Sequence, residues 1–325
     1  MDEGKELRGR IILITGATGF TGMHACRYFA ELGMLVAGLT HKQPPDTDIP
    51  GVRYYTCDLL DPLQITETVQ KIAPHYVLHL GGKNSVTESW NHPLLYMETN
   101  VFSLLYLLEA LRASSDCRVL VAGSRLSVPL SSPYRPPHPY SLSKSLQKVL
   151  SLSWEGLFGQ DVMVAEPSNL VGPGPSTGIC SLLGRRFVQA ELGKADAPFQ
   201  LSSRSERRDF LDVRDAVRAY GYLLAYGESG KEYPVCTGVE RSLHEVVESI
   251  KRTTKGRIVL EWEDSDSDPE DSDAGPDSGD SLSGGIHTPV LPSFLQGLGW
   301  KPLISFQTSL HDVIDYFRGT KGELR

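Results

Sequence analysis

Three side chains near the middle of the chain have the types and spacing of a proton-transfer site. Tyr140 and Lys144 are four residues apart, so they share one face of the helix that the pattern predicts over residues 139–158. An ammonium beside a phenol would favour the phenolate, lower its pKa from about 10, and suit Tyr140 to protonate a developing alkoxide. Ser124 directly follows a predicted strand at residues 118–122, where its hydroxyl can hold a substrate oxygen against Tyr140. Together the three residues predict general acid catalysis on a carbonyl group.

A glycine-rich turn near the start of the chain has the spacing of a diphosphate-binding loop. Its three glycines follow the β-branched run Ile11–Thr15 and precede an amphipathic stretch at residues 23–32. Glycine lets such a turn tighten and lets the backbone approach a pyrophosphate, whose charge then faces a helix N-terminus. A tight turn that binds nothing is the alternative. The residues expected to contact a dinucleotide here are Gly16, Thr18, Gly19, Phe20 and Gly22.

The elements that would position these residues alternate between strand and helix signals. Besides those already named, the pattern predicts strands at residues 35–39, 76–80 and 161–165 and a helix at residues 99–112. Such alternation predicts an α/β fold with a Rossmann-like, doubly wound parallel sheet.

From Asn169 the alternation breaks, and a Gly-Pro-Gly-Pro loop follows. We therefore expect a dinucleotide-binding domain over residues 1–168, to which residues 209–238 return. A smaller C-terminal substrate-binding lobe is expected over residues 169–325.

The formal charge of −8 comes from one segment of the chain. Ten of the 40 acidic residues lie between residues 261 and 280, and the other 30 face 32 lysines and arginines. The rest of the chain is therefore nearly neutral, without the basic patch that binds nucleic acid. Residues 264–285 are rich in Asp, Ser, Gly and Pro, so their composition predicts a disordered acidic loop.

Composition also bears on the compartment and on metal binding. The five cysteines are scattered singly, and the charged segment Met1–Arg10 has no apolar signal stretch. The sequence pattern suggests no apolar run near the roughly 20 residues that span a bilayer. We expect a cytoplasmic enzyme that binds no membrane. The histidines show no HExxH motif, and no metal site is expected.

Several segments occur in the order and spacing of the extended short-chain dehydrogenase/reductase family. They are TGATGFTG, VLHLGGKNSV, ETNVFSLLYLLEA, VAGS, PYSLSK, NLVGPG and RRDFLDVRDAVRAY. The chain therefore resembles that family. Within it, KNSVTESW and RRDFLDVRD are most similar to the branch of GDP-4-keto-6-deoxymannose reductases and GDP-mannose 4,6-dehydratases.

The resemblance implies roles for individual residues. Ser124, Tyr140 and Lys144 would form the catalytic triad; Tyr140 and Lys144 would also contact the dinucleotide, with Lys144 anchoring the nicotinamide ribose. The dinucleotide would further contact Asp58, Leu59, Leu80 and Gly81, and the sugar nucleotide would contact Lys83, Asn169 and Arg208. The resemblance also implies a homodimer packed through the helices at residues 99–112 and 139–158.

The chain departs from the family pattern at positions that face the substrate. Arg125 and Leu126 follow Ser124 where related dehydratases have an acidic pair, and Val128-Pro129 replaces a usual Tyr-Gly. Glu166 stands where an arginine is usual, and an Arg-Pro motif near the C-terminus is missing.

The end of the second predicted strand bears on the choice of cofactor. Thr40, His41 and Lys42 stand where an NAD enzyme usually has an acid for the ribose hydroxyls, so NADP(H) is favoured over NAD(H). The expected activity is NADPH-dependent reduction of a nucleotide-linked 4-keto-6-deoxyhexose, of the GDP-4-keto-6-deoxymannose type. The alternatives are an epimerase or dehydratase on the same scaffold, or a non-catalytic subunit that binds sugar nucleotide or cofactor.

Overall fold

The computed structural model describes most of the chain, with short gaps. The described residues are 3–41, 49–113, 116–130, 132, 134–194, 197–263 and 290–321. The acidic segment at residues 264–285 and Lys42 lie outside these ranges, so their predicted roles stay predictions.

The strands form one large parallel sheet and two small sheets. They are β1 (Ile11–Thr15), β2 (Leu35–Thr40), β3 (Val52–Thr56), β4 (Tyr76–His79), β5 (Arg118–Ala122), β6 (Val162–Pro167), β7 (Asn169–Val171), β8 (Phe199–Leu201), β9 (Arg207–Asp212), β10 (Glu232–Val235), β11 (Glu240–Ser242) and β12 (Leu260–Trp262). The large sheet has seven strands in the order β10-β6-β5-β4-β1-β2-β3. All its described pairings are parallel.

This sheet is the predicted Rossmann-like α/β fold. Strand order reverses between β1 and β4, and a parallel sheet of this kind binds ligands beyond its carboxyl edge at such a point. The aliphatic residues of β1 and β5 are buried from both faces, which explains their continuous apolar runs.

The helices either pack on the large sheet or belong to the C-terminal part of the chain. They are α1 (Glu3–Leu7), α2 (Phe20–Glu31), α3 (Pro62–Ile72), α4 (Val86–Asn91), α5 (Pro93–Met97), α6 (Ser103–Leu111), α7 (Pro139–Phe158), α8 (Ile179–Glu191), α9 (Val213–Tyr226), α10 (Leu243–Thr253), α11 (Ser293–Gly297) and α12 (Phe306–Gly319). Helix α7 has the predicted bounds because Pro139 starts it and Gly159, at φ +65°, ends it in the left-handed region.

The predicted helix at residues 99–112 is part of a longer helical stretch. A π-helical turn, Glu98–Phe102, joins α5 to α6 and makes Pro93–Leu111 continuous over 19 residues. By length and composition this helix could span a membrane, so the expectation of no such apolar run is wrong. Its leucines at positions 104, 107, 108 and 111 are at most 1% exposed and pack against the sheet. The apolar sequence is thus explained by core packing.

The C-terminal part of the chain builds its own core around the small sheets. Strands β7, β9 and β11 form one sheet, and β8 pairs with β12. Apolar side chains from α8, α10 and α12 pack together beneath them. Strand β10 lies in the large sheet, whereas β9 does not. The division of binding roles between residues 1–168 and 169–325 stays a prediction.

Candidate active site

A cleft of about 430 Å³ lies at the carboxyl edge of the large sheet. Of the predicted site residues, it is lined by Gly16, Gly19, Phe20, Gly22, Leu80, Lys83, Ser124, Tyr140, Lys144 and Asn169. The lining does not include Thr18, Thr40, His41, Asp58, Leu59, Gly81 or Arg208. The structure therefore brings the glycine turn, the predicted triad and two of three predicted substrate residues to one cavity.

The glycine turn is packed so closely against neighbouring backbone that a side chain would not fit at Gly16 or Gly22. Gly16 has φ +65°, and a Cβ on Gly22 would lie 2.0 Å from the Gly16 carbonyl oxygen. Gly19 is the N-cap of α2 and has no side chain to cap the helix. The first-turn N–H groups of α2 are therefore available to an anion, so the turn fits a dinucleotide diphosphate.

A threonine at the end of β1 organises the floor of the cleft. The Thr15 hydroxyl oxygen accepts hydrogen bonds from the N–H groups of Leu80 (3.1 Å) and Gly81 (2.9 Å). It also lies 2.9 Å from Nδ1 of the fully buried His79. A Cβ on Gly81 would lie 2.6 Å from Leu59 Cδ1, so this glycine allows the chain after β3 to approach.

The predicted adenosine end of the site lies beyond β2. The Thr40 side chain is buried, while the His41 imidazole is exposed and its Nδ1 lies 3.7 Å from Asp58 Oδ1. Asp58 Oδ1 also accepts the Leu60 N–H at 2.9 Å, which fixes the carboxylate at the sheet edge.

The predicted triad is buried together in the cleft wall. Ser124, Tyr140 and Lys144 are each at most 8% exposed. Burial raises the pKa of the Tyr140 phenol, and the Ser124 hydroxyl offsets part of the rise. The direction is opposite to the predicted lowering by Lys144. The Lys144 ammonium instead donates to the Ala122 carbonyl (2.9 Å) and to Gln147 Oε1 (2.8 Å).

The raised pKa of Tyr140 is also compatible with proton donation. A phenol with a raised pKa keeps its proton at neutral pH, as a donor to an alkoxide requires. Burial also lowers the pKa of Lys144 to about 8, because the charged form loses its hydration.

Two residues outside the predicted set position Lys144: Gln147 contacts its ammonium, and Asn100 contacts Gln147. Gln147 donates its amide N–H to the Asn100 carbonyl at 2.9 Å. The fully buried Asn100 side chain donates to Ser143 Oγ at 2.9 Å and accepts the Lys83 N–H at 2.7 Å. Asn100 lies in the π-helical turn Glu98–Phe102, and such turns free backbone groups for other partners. The sequence signal for Asn100 was a polar residue within the apolar stretch Pro93–Leu111, whereas Gln147 stands among the serines and lysines of α7 and carried no such signal.

The predicted substrate residues Lys83 and Arg208 already have acidic partners. The Lys83 ammonium lies 2.6 Å from Glu88, whose other oxygen accepts the Tyr96 hydroxyl at 2.9 Å. These hydrogen bonds lower the pKa of Glu88. Arg208 pairs with Glu206 at 2.6 Å.

Asn169 is the third predicted substrate residue, and its amide donates to the Asp209 carbonyl at 3.1 Å. It is exposed at the cleft, so its other polar atoms can reach a ligand.

Glu166, which replaces a usual arginine, tethers the loop after Ser124. Its Oε1 accepts the Ser127 hydroxyl at 2.9 Å and lies 3.1 Å from the Lys148 ammonium. The Ser127 N–H donates to the Ser124 carbonyl at 3.0 Å. The carboxylate therefore supports the turn that carries the predicted catalytic hydroxyl.

Two histidines spaced four residues apart do not form a metal site. His75 precedes β4 and His79 is its last residue; His75 Nδ1 accepts the Ile11 N–H at 3.1 Å, and His79 Nδ1 lies 2.9 Å from the Thr15 hydroxyl oxygen. Among the described residues, no group of three or more histidines, cysteines or acids could hold a metal ion.

Comparisons with known proteins find related sequences and structures. A profile of the NAD dependent epimerase/dehydratase family matches residues 12–236. A GDP-6-deoxy-D-mannose reductase of Pseudomonas aeruginosa is 30% identical over 251 residues, covering 74% of this chain and 78% of that protein.

Solved structures share the fold. That of RMD from Pseudomonas aeruginosa complexed with NADPH has a TM-score of 0.75 at 24% identity and covers 96% of this chain and 99% of its own. Thermus thermophilus UDP-glucose 4-epimerase complexed with NAD has a TM-score of 0.76 at 23% identity, covering 95% and 99%.

Proposed function

The chain belongs to the NAD-dependent epimerase/dehydratase family, and from this premise we propose that it is an NADPH-dependent reductase of a nucleotide-linked 4-keto-6-deoxyhexose. The observation that carries the proposal is the buried Tyr140 phenol, which lines the cleft together with Ser124 and Lys144 and has a raised pKa. The 30% identity to a GDP-6-deoxy-D-mannose reductase supports the same reaction and a GDP-linked substrate.

In this proposal the chain's own residues move one proton and orient two ligands. A bound nicotinamide dinucleotide would supply the hydride, held by the first turn of α2 and by Lys144. Tyr140 donates its proton to the carbonyl oxygen of the sugar, and Ser124 orients that oxygen. Lys83, Asn169 and Arg208 would contact the sugar nucleotide.

A dehydratase activity lacks its acid in this cleft. Eliminating water across C5 and C6 of a hexose needs a group that protonates the departing hydroxyl. Arg125 and Leu126 line the cleft directly after Ser124, and neither is such an acid at neutral pH.

Product analysis tests the proposal against its alternatives. The protein is incubated with NADPH and a panel of nucleotide 4-keto-6-deoxysugars, and products are followed by mass spectrometry. A product heavier by two hydrogens, formed as NADPH is consumed, is expected. Release of a 4-keto-6-deoxy sugar from an unreduced nucleotide hexose would establish a dehydratase instead. Epimerisation without net consumption of NADPH would establish an epimerase, and cofactor binding without turnover a non-catalytic subunit.

We expect NADPH to bind at least about tenfold more tightly than NADH, because a charged hydrogen-bond partner for the 2′-phosphate contributes roughly 1.5–3 kcal/mol. A 2′-phosphate would meet no negatively charged side chain at Thr40, His41 and Lys42, and one positively charged side chain, that of Lys42. Calorimetry with both cofactors measures the preference. Lys42→Glu should reduce or reverse it, while Lys194→Glu, the same charge change at an exposed lysine away from the cleft, should not. Equal or tighter binding of NADH by the unaltered protein would refute the preference.

The homodimer proposal draws support from an unusual distribution of residues on α7. Its buried face is mostly polar, and consists of Tyr140, Ser141, Ser143, Lys144, Ser145, Gln147 and Ser151. Val149, Leu157 and Phe158 of α7 are exposed, as is Phe102 of the π-helical turn that contacts this helix. An apolar helix face turned away from its own core is typical of a protein interface.

Leu157→Asp should therefore convert a dimer into a monomer at micromolar concentration. Leu157 is 68% exposed, so the substitution leaves the core of the subunit intact, whereas a charge in an apolar interface is costly. Light scattering measures the mass of each variant. Leu63→Asp, at a 76% exposed position on α3, is the control and should stay dimeric. A monomeric unaltered protein would contradict the proposal.

A further inference from the structure

Two buried hydroxyl groups in the cleft have no role in the chemistry proposed above. Tyr220 on α9 is 0% exposed, and Ser168, directly after β6, is 7% exposed. Both residues line the cleft. Across the described ranges of the chain, neither hydroxyl has a hydrogen-bond partner. A buried hydroxyl without a partner is costly, and one that faces a ligand cleft is explained if the ligand supplies the partner.

The backbone holds both residues in defined places. The Ser168 N–H donates to the Val235 carbonyl at 2.9 Å, which fixes the chain as it leaves β6. Strand β6 pairs with β5, so Ser168 follows the sheet edge next to the segment that carries Ser124. Tyr220 lies on α9, which packs against β5 and β6, and its side chain belongs to the same core cluster as Leu120 of β5 and Ala165 of β6. Both residues are therefore attached to the part of the sheet where β5 and β6 lead to Ser124 and Ser168.

The chemistry of the two groups selects their ligand. Both are neutral donors and acceptors, and burial raises the pKa of Tyr220, so its phenol is uncharged. The first turn of α2 already fits the charged diphosphate. The part of a nicotinamide dinucleotide that extends from that turn toward Tyr140 is the nicotinamide nucleoside, and its neutral polar group is the carboxamide.

We propose that the hydroxyls of Ser168 and Tyr220 hydrogen-bond the carboxamide of the nicotinamide ring and so fix which edge of the ring faces the substrate. The inference rests on the proposed binding of a nicotinamide cofactor in this cleft. It adds two side chains to the site that neither the motifs nor the proton-transfer chemistry selects.

Calorimetry of two variants with three ligands tests the assignment. Ser168→Ala and Tyr220→Phe should each weaken binding of NADP⁺ about 3- to 10-fold, the effect of one lost neutral hydrogen bond. Both should bind 2′-phospho-ADP-ribose as the unaltered protein does, because that ligand lacks the nicotinamide. In the 3-acetylpyridine analogue of NADP⁺ a methyl replaces the amide nitrogen. The two substitutions should weaken binding of this analogue less than they weaken binding of NADP⁺.

Tyr233→Phe is the matched control. Tyr233 is 5% exposed, and its hydroxyl oxygen accepts the Glu228 N–H at 2.7 Å outside the cleft. This variant should bind all three ligands normally.

Thermal unfolding without ligand separates the two tyrosines further. Tyr220→Phe removes a buried hydroxyl that lacks a partner, so its melting temperature should equal or exceed that of the unaltered protein. Tyr233→Phe removes a satisfied hydrogen bond and should melt at a lower temperature.

The outcomes distinguish this inference from the proposed function. Equal losses for NADP⁺ and 2′-phospho-ADP-ribose, unchanged NADP⁺ affinity in both variants, or a Tyr220→Phe protein that melts as low as Tyr233→Phe would each overturn the inference. If the unaltered protein binds neither 2′-phospho-ADP-ribose nor NADP⁺ measurably, the proposed function is refuted instead.

Discussion

Replacing Tyr140 by phenylalanine should lower kcat by at least about 100-fold, because general acid catalysis contributes roughly 10²–10⁴-fold. The phenol is buried in the cleft wall, and burial raises its pKa, so it is protonated at neutral pH. Phenylalanine keeps the ring, which packs edge-on against Tyr96 at 6.1 Å between centroids. The variant should therefore fold normally and lose only the proton donor.

Single-turnover kinetics with NADPH and the 4-keto sugar nucleotide, followed by formation of the reduced sugar, measure the effect. Dinucleotide affinity should be nearly unchanged, because Tyr140 is not part of the glycine turn. Tyr233→Phe removes another buried phenol hydroxyl, outside the cleft, and should keep its rate. A Tyr140→Phe protein that retains more than about a tenth of the rate would show that another group donates the proton.

Lys144→Met should lower both dinucleotide affinity and turnover, each by about 10- to 100-fold, because hydrogen bonds to a charged group contribute roughly 1.5–3 kcal/mol. The ammonium donates to the Ala122 carbonyl and to Gln147, which leaves its third N–H for a ligand. Methionine has a similar length and no charge, so the loss reports the ammonium and not a cavity.

The pH dependence of binding identifies the ammonium as the group responsible. The pKa of Lys144 in the folded protein is about 8, below its value near 10.4 in an unfolded chain. Its charge is present below pH 8 and is lost above it. Dinucleotide affinity should therefore fall as pH rises through about 8 in the unaltered protein and stay flat there in Lys144→Met.

Stability has the opposite dependence on pH. Between pH 8 and 10.4 the unfolded chain binds more protons at Lys144 than the folded chain, so the free energy of unfolding should rise with pH in this window. Denaturant unfolding at several pH values measures the slope, and Lys144→Met should reduce it. If dinucleotide affinity and the free energy of unfolding each depend on pH in Lys144→Met as they do in the unaltered protein, Lys144 does not titrate near pH 8.

Local sequence signals determined the elements that carry the site. Helix α7 begins at Pro139 and ends before Gly159, and each of these two residues acts through its own backbone torsion angles. The apolar runs of β1 and β5 and the glycines between β1 and α2 are likewise local patterns. The parallel sheet follows from their alternation. Strand β3 was not predicted, because it lies at the sheet edge, is half-exposed, and has no continuous apolar run.

Tertiary structure alone decided how the candidate site residues are charged and paired. The sequence puts Lys144 one turn from Tyr140 and so predicts a lowered phenol pKa, but the ammonium turns to Ala122 and Gln147 and burial raises that pKa instead. The acidic partners of Lys83 and Arg208, and the placement of Ser168 and Tyr220 in the cleft, also became visible only in the folded chain. A torsional preference depends on a residue and its chain neighbours, whereas a pKa depends on distance to solvent and to other charges. Packing between segments far apart in the sequence sets those distances.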